Sequence, residues 1–134
     1  MDASKPVTVV IADDHPVYRD GLARAIAAWP ELTVVGEAPD GKSAAALIDT
    51  LDPDVAVLDA HMPEIDGITL CAWATTRRGE RPTRVLLLSA YVDSVLVGRA
   101  LAAGAAGYVG KDSMRDEICR AIARVASGGT AFIE

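Results

Sequence analysis

The sequence lacks any hydrophobic run long enough to cross a membrane. None of its apolar stretches approaches the ~20 consecutive residues that a spanning helix needs. The N-terminal segment, MDASKPVTVV, also lacks the basic region, long apolar stretch and cleavage site of a signal peptide. These absences predict a cytoplasmic protein that does not associate with membranes.

Cysteine and positive charge are scarce as well. The two cysteines, Cys71 and Cys119, lie far apart in helix-like segments, which favours reduced, buried or half-buried thiols over a disulfide. Thirteen Lys and Arg residues face nineteen Asp and Glu residues, so the net charge is −6. Nucleic-acid binding depends on basic side chains at the phosphates, and we therefore expect that this chain does not bind nucleic acid by itself.

What the sequence does contain is a regular alternation of strand-like and helix-like segments. Five short runs rich in Val, Leu or Ile are separated by longer segments in which apolar residues recur every three or four positions. The runs span residues 7–12, 32–37, 54–59, 83–89 and 106–110. Nearly continuous apolar strands are typical of a parallel sheet that is buried on both faces. The 134 residues thus predict one α/β domain, a flavodoxin-like (βα)5 doubly wound parallel sheet with strand order 2-1-3-4-5.

The helix-like segments predict which faces pack on the sheet. The apolar face of the first helix is Val17, Leu22, Ile26 and Trp29, and that of the last is Met114, Ile118, Ile122 and Val125. A basic cluster lies between the third helix and the fourth strand, and we interpret it as a solvated loop. Its members are Arg77, Arg78, Arg81 and Arg84.

Polar residues with compatible chemistry follow four of the predicted strands. Asp13 and Asp14 follow the first strand, Asp59 ends the third, Ser89 ends the fourth, and Lys111 follows the fifth. Ligands of open parallel sheets bind outside the carboxyl ends of the strands, so these side chains are expected to converge there. His15 and His61 lie beside them, but a helix-start or loop histidine is favoured over a metal ligand because no Cys or second His has ligand spacing.

This set of groups suits phosphoryl chemistry. Three neighbouring carboxylates repel unless a cation neutralises them, and oxygen-only ligands select Mg²⁺ or another hard divalent cation. An Asp carboxylate can act as a nucleophile toward phosphorus, and Asp59 is the best candidate because it ends the middle strand. Lys111 would offset charge on the phosphoryl oxygens, and Ser89 would donate a hydrogen bond to them.

Two enzyme classes are alternatives. The stretch GEAPDGKS, residues 36–43, fits the P-loop pattern G-x-x-x-x-G-K-[ST] of nucleotide hydrolases. Against that reading, Pro39 has no N–H, Glu37 and Asp40 would repel phosphate, and the stretch follows an edge strand. An Asp-nucleophile phosphatase normally carries a second Asp two residues after the nucleophile, where this chain has His61.

The ordered motifs resemble the receiver domain of two-component response regulators, specifically the NarL/LuxR-type subfamily. The matching segments are VTVVIADDHPVYRDGLARAI, VVGEAPDGKSAAALI, PDVAVLDAHMPEIDGITL and AAGAAGYVGKDSM, which cover nearly the whole chain. Each segment is moderately specific, and the ordered set is very specific.

The resemblance implies a role for each site residue. Asp59 would be phosphorylated by a sensor histidine kinase, and Ser89 and Lys111 would bind the phosphoryl group. Mg²⁺ would be held by Asp13, Asp14, Asp59 and the backbone carbonyl of His61. Tyr108 would be the switch aromatic that follows Ser89, and His61 and Tyr91 would tune phosphate lifetime. Met62-Pro63 and Asp66-Gly67 would shape the loop after Asp59.

The resemblance also implies partners and an output. Residues 1–134 would form the receiver, a phosphorylation switch that self-phosphorylates and autodephosphorylates with Mg²⁺ but is not a turnover enzyme. A homodimer would form on phosphorylation. DNA would be bound only through a C-terminal helix-turn-helix domain beyond this chain, and GGTAFIE would begin the linker to it.

Overall fold

The computed structural model describes residues 5–77, 82–91 and 93–132, in which strands and helices alternate along the chain. The strands are β1 (Val7–Ala12), β2 (Leu32–Ala38), β3 (Val55–Asp59), β4 (Arg84–Ser89), β5 (Gly107–Gly110) and β6 (Ala131–Phe132). The helices are α1 (Pro16–Ala27), α2 (Gly41–Leu51), α3 (Gly67–Thr76), α4 (Ser94–Ala102) and α5 (Arg115–Ala126).

The described strands form one parallel sheet in the order β2-β1-β3-β4-β5-β6. The flavodoxin-like fold and the predicted order of the first five strands are confirmed. The prediction was one strand short, because Ala131 and Phe132 pair in parallel with Gly107 and Tyr108 of β5. This part of GGTAFIE therefore belongs to the sheet and not to a linker.

Two apolar cores lie on opposite faces of the sheet. Successive strand residues alternate between them, so Val9 and Ile11 pack with α1 and α5, whereas Val10 and Ala12 pack with α2, α3 and α4. Both faces of the central strands are covered, which explains why their sequences are continuously apolar. The buried polar residues accordingly lie at or next to the ends of the strands.

Two residues of the predicted apolar helix faces are exposed. Leu22 and Ile26 of α1 are fully buried, but Val17 is 88% exposed. On α5, Met114 is 70% exposed, in contrast to the three buried apolar residues that follow it. Val17 lies in the first turn of α1 and Met114 caps α5, so both stand at the carboxyl edge of the sheet, where none of the described elements covers them.

The opposite, amino-terminal edge of the sheet contains a buried ion pair. Arg77, which follows α3, pairs with Asp52 at the end of α2, and its side chain is only 6% exposed. The same guanidinium donates to Thr83 Oγ1 at 3.2 Å. The interpretation of the basic cluster as a solvated loop is therefore wrong for Arg77, whereas Arg78 and Arg81 lie outside the described residues.

Candidate functional site

The carboxyl end of β1 places two carboxylates at the sheet edge. Asp13 continues the β1 pairing through its N–H, which donates to the Ala38 carbonyl at 3.1 Å, and the residue is 1% exposed. Its own carbonyl accepts a hydrogen bond from Arg19 of α1 at 2.7 Å. Asp14 is half-buried beside it. These backbone contacts hold Asp13 in place, and its carboxylate Oδ1 accepts a further hydrogen bond from the His15 N–H at 2.8 Å.

Asp59, the last residue of β3, is the central group. It is 3% exposed, and its Oδ1 accepts a hydrogen bond from the His61 N–H at 3.0 Å. Its Oδ2 lies 3.3 Å from Lys111 Nζ. Burial raises the pKa of Asp59, and the nearby Asp13 charge raises it further, although the His61 N–H and Lys111 act in the opposite direction. The site therefore holds a partly compensated buried carboxylate.

The loop after Asp59 packs against Asp59 itself. The Gly67 N–H, at the start of α3, donates to the Ala60 carbonyl at 3.0 Å. A Cβ on Gly67 would lie 2.2 Å from the Asp59 carbonyl oxygen, a distance that no side chain tolerates. The turn from β3 into α3 therefore requires glycine here, which agrees with the expectation that Asp66-Gly67 shapes the loop.

Lys111 connects β5 to the acidic groups. Its backbone N–H donates to the Ser89 carbonyl at 2.8 Å, and this bond fixes where the side chain begins. Its ammonium lies 2.8 Å from Asp13 Oδ2 and 3.3 Å from Asp59 Oδ2. One cation thus bridges carboxylates from two strands, as the strand-end argument predicts.

Ser89 is fully buried at the end of β4. The β3–β4 register pairs Asp59 with Leu88, so Ser89 lies one residue beyond that pair. Its Oγ accepts a hydrogen bond from the Tyr91 N–H at 3.1 Å. The hydroxyl therefore lies at the predicted edge of the sheet, but its oxygen accepts a hydrogen bond from the loop that follows β4.

The same loop contacts the predicted switch aromatic. Tyr108 of β5 is fully buried, and its hydroxyl donates to the Tyr91 carbonyl at 2.9 Å. The Tyr91 side chain is 71% exposed. Ser89 and Tyr108 thus bind the N–H and the carbonyl of one residue, which links the end of β4 to β5.

The acidic cluster can hold a cation. Asp13, Asp14, His15 and Asp59 each offer one ligand atom, and these atoms lie within 4.8 Å of one another. Asp13 Oδ2 and Asp14 Oδ1 are buried and accept no hydrogen bond from the described residues, although each lies within ion-pair distance of a nitrogen. Clustered carboxylate oxygens with free acceptor capacity fit a hard divalent cation.

His15, which the sequence placed beside the site but did not assign to it, contacts the acidic groups. It is the N-cap of α1, as expected of a helix-start histidine, but its Nδ1 also lies 3.0 Å from Asp13 Oδ1 and 3.1 Å from Asp14 Oδ1. The Nδ1 is also 3.3 Å from Lys111 Nζ. The only signal in the sequence was the position of His15 directly after the Asp pair.

Comparisons with known proteins show the family of the chain. The family model described as the response regulator receiver domain matches residues 9–123. The chain is a response regulator receiver domain.

Several relatives of this receiver domain are regulators of the NarL/LuxR type. It is 48% identical over 122 residues to the probable transcriptional regulatory protein NarL of Mycobacterium tuberculosis, an alignment that covers 91% of this chain and 56% of that protein. It is 42% identical over 122 residues to the DNA-binding transcriptional activator DevR/DosR of the same species, covering 91% of this chain and 55% of that one. The chain thus spans about half the length of these curated relatives.

A solved structure shares the fold of the receiver domain closely. The signal receiver domain of the putative response regulator NarL from Mycobacterium tuberculosis superposes with a TM-score of 0.88 at 46% sequence identity. The match covers 92% of this chain and 98% of the other. Within the part of the receiver that the structure describes, no helix combines the length and hydropathy needed to cross a bilayer.

The P-loop-like stretch of the receiver domain has a structural role. Gly36 lies inside β2, which extends to Ala38, one residue beyond the predicted run of residues 32–37. Asp40 caps α2, because its Oδ1 accepts a hydrogen bond from the Ser43 N–H at 2.7 Å. A P-loop needs its backbone N–H groups free for phosphate, and here one of them is bound by a carboxylate at the far edge of the sheet.

Proposed function

We propose that Asp59 accepts a phosphoryl group from a sensor histidine kinase, and that Ser89 and Lys111 bind the group once it is transferred. The observation that carries this proposal is the Lys111 ammonium within 3.3 Å of the buried Asp59 carboxylate, in a cluster whose other groups suit a cation. An Asp59 oxygen would form a bond to phosphorus as the phosphorus–nitrogen bond of the kinase phosphohistidine breaks.

Mg²⁺ is the proposed cation, with Asp13, Asp14, Asp59 and the His61 backbone carbonyl as its ligands. Mg²⁺ would offset negative charge on the phosphoryl oxygens during transfer. Lys111 would supply a second positive charge, and its link to Asp13 keeps it at the site before the phosphoryl group arrives.

The switch would run through the loop after Ser89. A phosphoryl group at Asp59 would draw the Ser89 hydroxyl away from the Tyr91 N–H and so move the residue that Tyr108 also binds. The two states would differ by a few kcal/mol, which one phosphoryl group can bias. Dimerisation is the proposed response, and helix α4 with strand β5 is the proposed mobile region.

The output proposed is transcription control. Both curated relatives carry names of transcription regulators, and the chain spans about half their length. DNA contact would belong to a C-terminal helix-turn-helix domain of the whole protein, because the receiver carries a net charge of −6. The receiver would act as a switch and not as a turnover enzyme.

Replacement of Asp59 by Ala tests the acceptor. Wild type, Asp59→Ala and a surface control, Asp20→Ala, would be incubated with Mg²⁺ and acetyl phosphate, and the added mass would be measured on intact protein. We expect uptake by wild type and the control and none by Asp59→Ala. Wild-type uptake by Asp59→Ala would refute the assignment, and steady release of phosphate from a monoester would favour a phosphatase.

His61→Ala tests the tuning of phosphate lifetime. The His61 ring is exposed, and the contact of this residue with Asp59 uses its backbone N–H, so the variant should still take up phosphoryl. Removal of the ring should open Asp59 to water and shorten the phosphoryl half-life, by roughly threefold. Decay of the acid-labile phosphate after removal of the donor measures this, and equal half-lives would contradict the role.

A further inference from the structure

Tyr18 is an aromatic residue of α1 whose ring lies close to two cationic side chains. Lys111 Nζ is 4.4 Å from the centroid of its ring, and the Arg115 guanidinium carbon is also 4.4 Å from it. Both distances are well inside the range of about 6 Å in which a cation is attracted to the face of an aromatic ring. Neither the strand-end argument nor the family motifs single out this residue.

The hydroxyl of Tyr18 does not explain why a tyrosine occupies this position. It is buried and makes no hydrogen bond within the described chain. Burial raises the pKa of Tyr18 to about 12, so the phenol is neutral at physiological pH. An unpartnered buried hydroxyl is a cost to the fold, and the contribution of Tyr18 must therefore come from its ring.

Lys111 needs a fixed partner for a physical reason. Its long side chain has many rotamers, and its ammonium is held on one side by Asp13 and Asp59. Those two carboxylates are also the groups that a divalent cation and a phosphoryl group would engage. The ring of Tyr18 is a contact of the Lys111 ammonium for which neither of those ligands would compete.

We propose that Tyr18 is a positioning residue, whose ring face holds the Lys111 ammonium toward Asp59. The inference rests on the proposed function, because it assigns Tyr18 to the step in which Lys111 meets the phosphoryl group. In this role Tyr18 acts on the transfer through its contact with Lys111.

The second cation belongs to the same arrangement. Arg115, the first residue of α5, lies against α1 at Gly21, where a Cβ would stand 3.4 Å from its Nη2. Gly21 lies one turn after Tyr18 on the same face of α1. The face of α1 toward the start of α5 therefore carries the Tyr18 ring and, one turn later, a position without a side chain. The absence of a side chain at residue 21 leaves room for the guanidinium that covers the ring.

The test separates the electronic character of the ring from its shape. Tyr18 would be replaced by Phe, by a ring-fluorinated phenylalanine and by Leu, and the rate of phosphoryl uptake from acetyl phosphate would be measured with saturating Mg²⁺. Fluorination withdraws charge from the ring face and leaves the size almost unchanged. We expect Tyr18→Phe to retain the wild-type rate, and the fluorinated and Leu variants to be about five- to tenfold slower.

Two controls distinguish positioning from packing. Trp73→Leu makes a similar aromatic deletion at a part-exposed position of α3, six residues beyond the Gly67 turn, and should leave the rate unchanged. In a Lys111→Ala background, fluorination at Tyr18 should have no further effect if the ring acts through Lys111. Thermal midpoints of the Phe and fluorinated variants should agree, so a rate difference between them would not reflect unfolding.

The outcomes separate the two hypotheses. If wild type takes up no phosphoryl group, the proposed function fails and the role of Tyr18 fails with it. If wild type reacts and the Phe and fluorinated variants have equal rates, only the role of Tyr18 is overturned. A fluorination effect that persists in the Lys111→Ala background would also overturn it, because the ring would then act by another route.

Discussion

At the scale of single residues, the site is a compromise between reactivity and stability. Asp59 sits almost fully buried with Asp13 close by, and burial is the main reason that its pKa is raised. A carboxylate in this position is held in its charged form at a free-energy cost to the fold. Lys111 offsets part of that cost, and the remainder is what a cation would relieve.

Asp59→Asn should therefore stabilise the fold. Folded Asp59 binds its proton more tightly than the unfolded side chain, whose ordinary pKa is 3.8, so stability falls as pH rises through the window between 3.8 and the raised value. At pH 7 the variant should be more stable by about 1 kcal/mol, a gain that fades below that window. Lys111 keeps its 2.8 Å contact with Asp13 in the variant.

Denaturant titrations at several pH values in chelator measure this difference. Asp20→Asn, which changes a carboxylate of an exposed pair with Arg24, is the control and should shift stability little at any pH. A less stable Asp59→Asn protein at pH 7 would show that the Lys111 pairing outweighs the burial of the charge.

Residue-level prediction worked where a side chain ends a strand. Asp13, Asp59, Ser89 and Lys111 were predictable because the topology of a parallel sheet brings strand ends to one edge. His15 and Tyr18 were not, since each depends on which way the start of α1 turns. The orientation of a helix over the edge is fixed by tertiary packing, and one sequence does not specify it.

At the scale of elements, the turn between β3 and α3 has little freedom. Gly67→Ala would place a methyl group 2.2 Å from the Asp59 carbonyl oxygen, so the turn must shift and take the carboxylate with it. We expect a loss of about 2–3 kcal/mol of folding free energy and a slower phosphoryl uptake.

Gly98→Ala in α4 is the matched control. An added Cβ there meets nothing within 4 Å, and alanine favours helix, so stability should rise by about 0.5–1 kcal/mol. Thermal unfolding of the two variants beside wild type gives both values. A Gly67→Ala protein as stable as Gly98→Ala would mean that the turn accommodates the added methyl group.

Element types were easier to predict than element ends. The apolar runs identified five strands, but β2 extends one residue further than predicted, and β6 was missed entirely. A strand of two residues has no periodicity to detect, and its pairing with β5 is visible only in the folded sheet. Val17 and Met114 show the same limit. Periodicity identifies the apolar face of a helix, but it does not show which residues at the end of that face extend past the core into solvent.

At the scale of the whole molecule, a cation at the proposed site would couple its binding to folding. A cation that binds only the folded chain stabilises it by about 2.7 kcal/mol when its concentration is 100 times the dissociation constant. Asp13, Asp14 and Asp59 come from two separate strand ends, so the unfolded chain does not assemble them. Mg²⁺ should therefore raise the unfolding temperature of wild type by several degrees.

Asp13→Asn should remove most of that response, whereas Asp20→Asn should keep it. Unfolding temperatures measured across a Mg²⁺ series, with chelator as the zero point, test the proposal. An identical rise in wild type and Asp13→Asn would place the cation elsewhere on the molecule.

The pairing of β6 with β5 makes this sheet usable as a sensor. Phe132 is the register partner of Tyr108, so a reporter near residue 132 would sit beside the aromatic that the switch is proposed to move. An environment-sensitive fluorophore attached through a Phe132→Cys substitution would be insulated from competing labelling, because Cys71 and Cys119 are both buried. A fluorophore on β6, the strand that the sequence did not predict, would therefore report a movement of Tyr108 as a change in fluorescence.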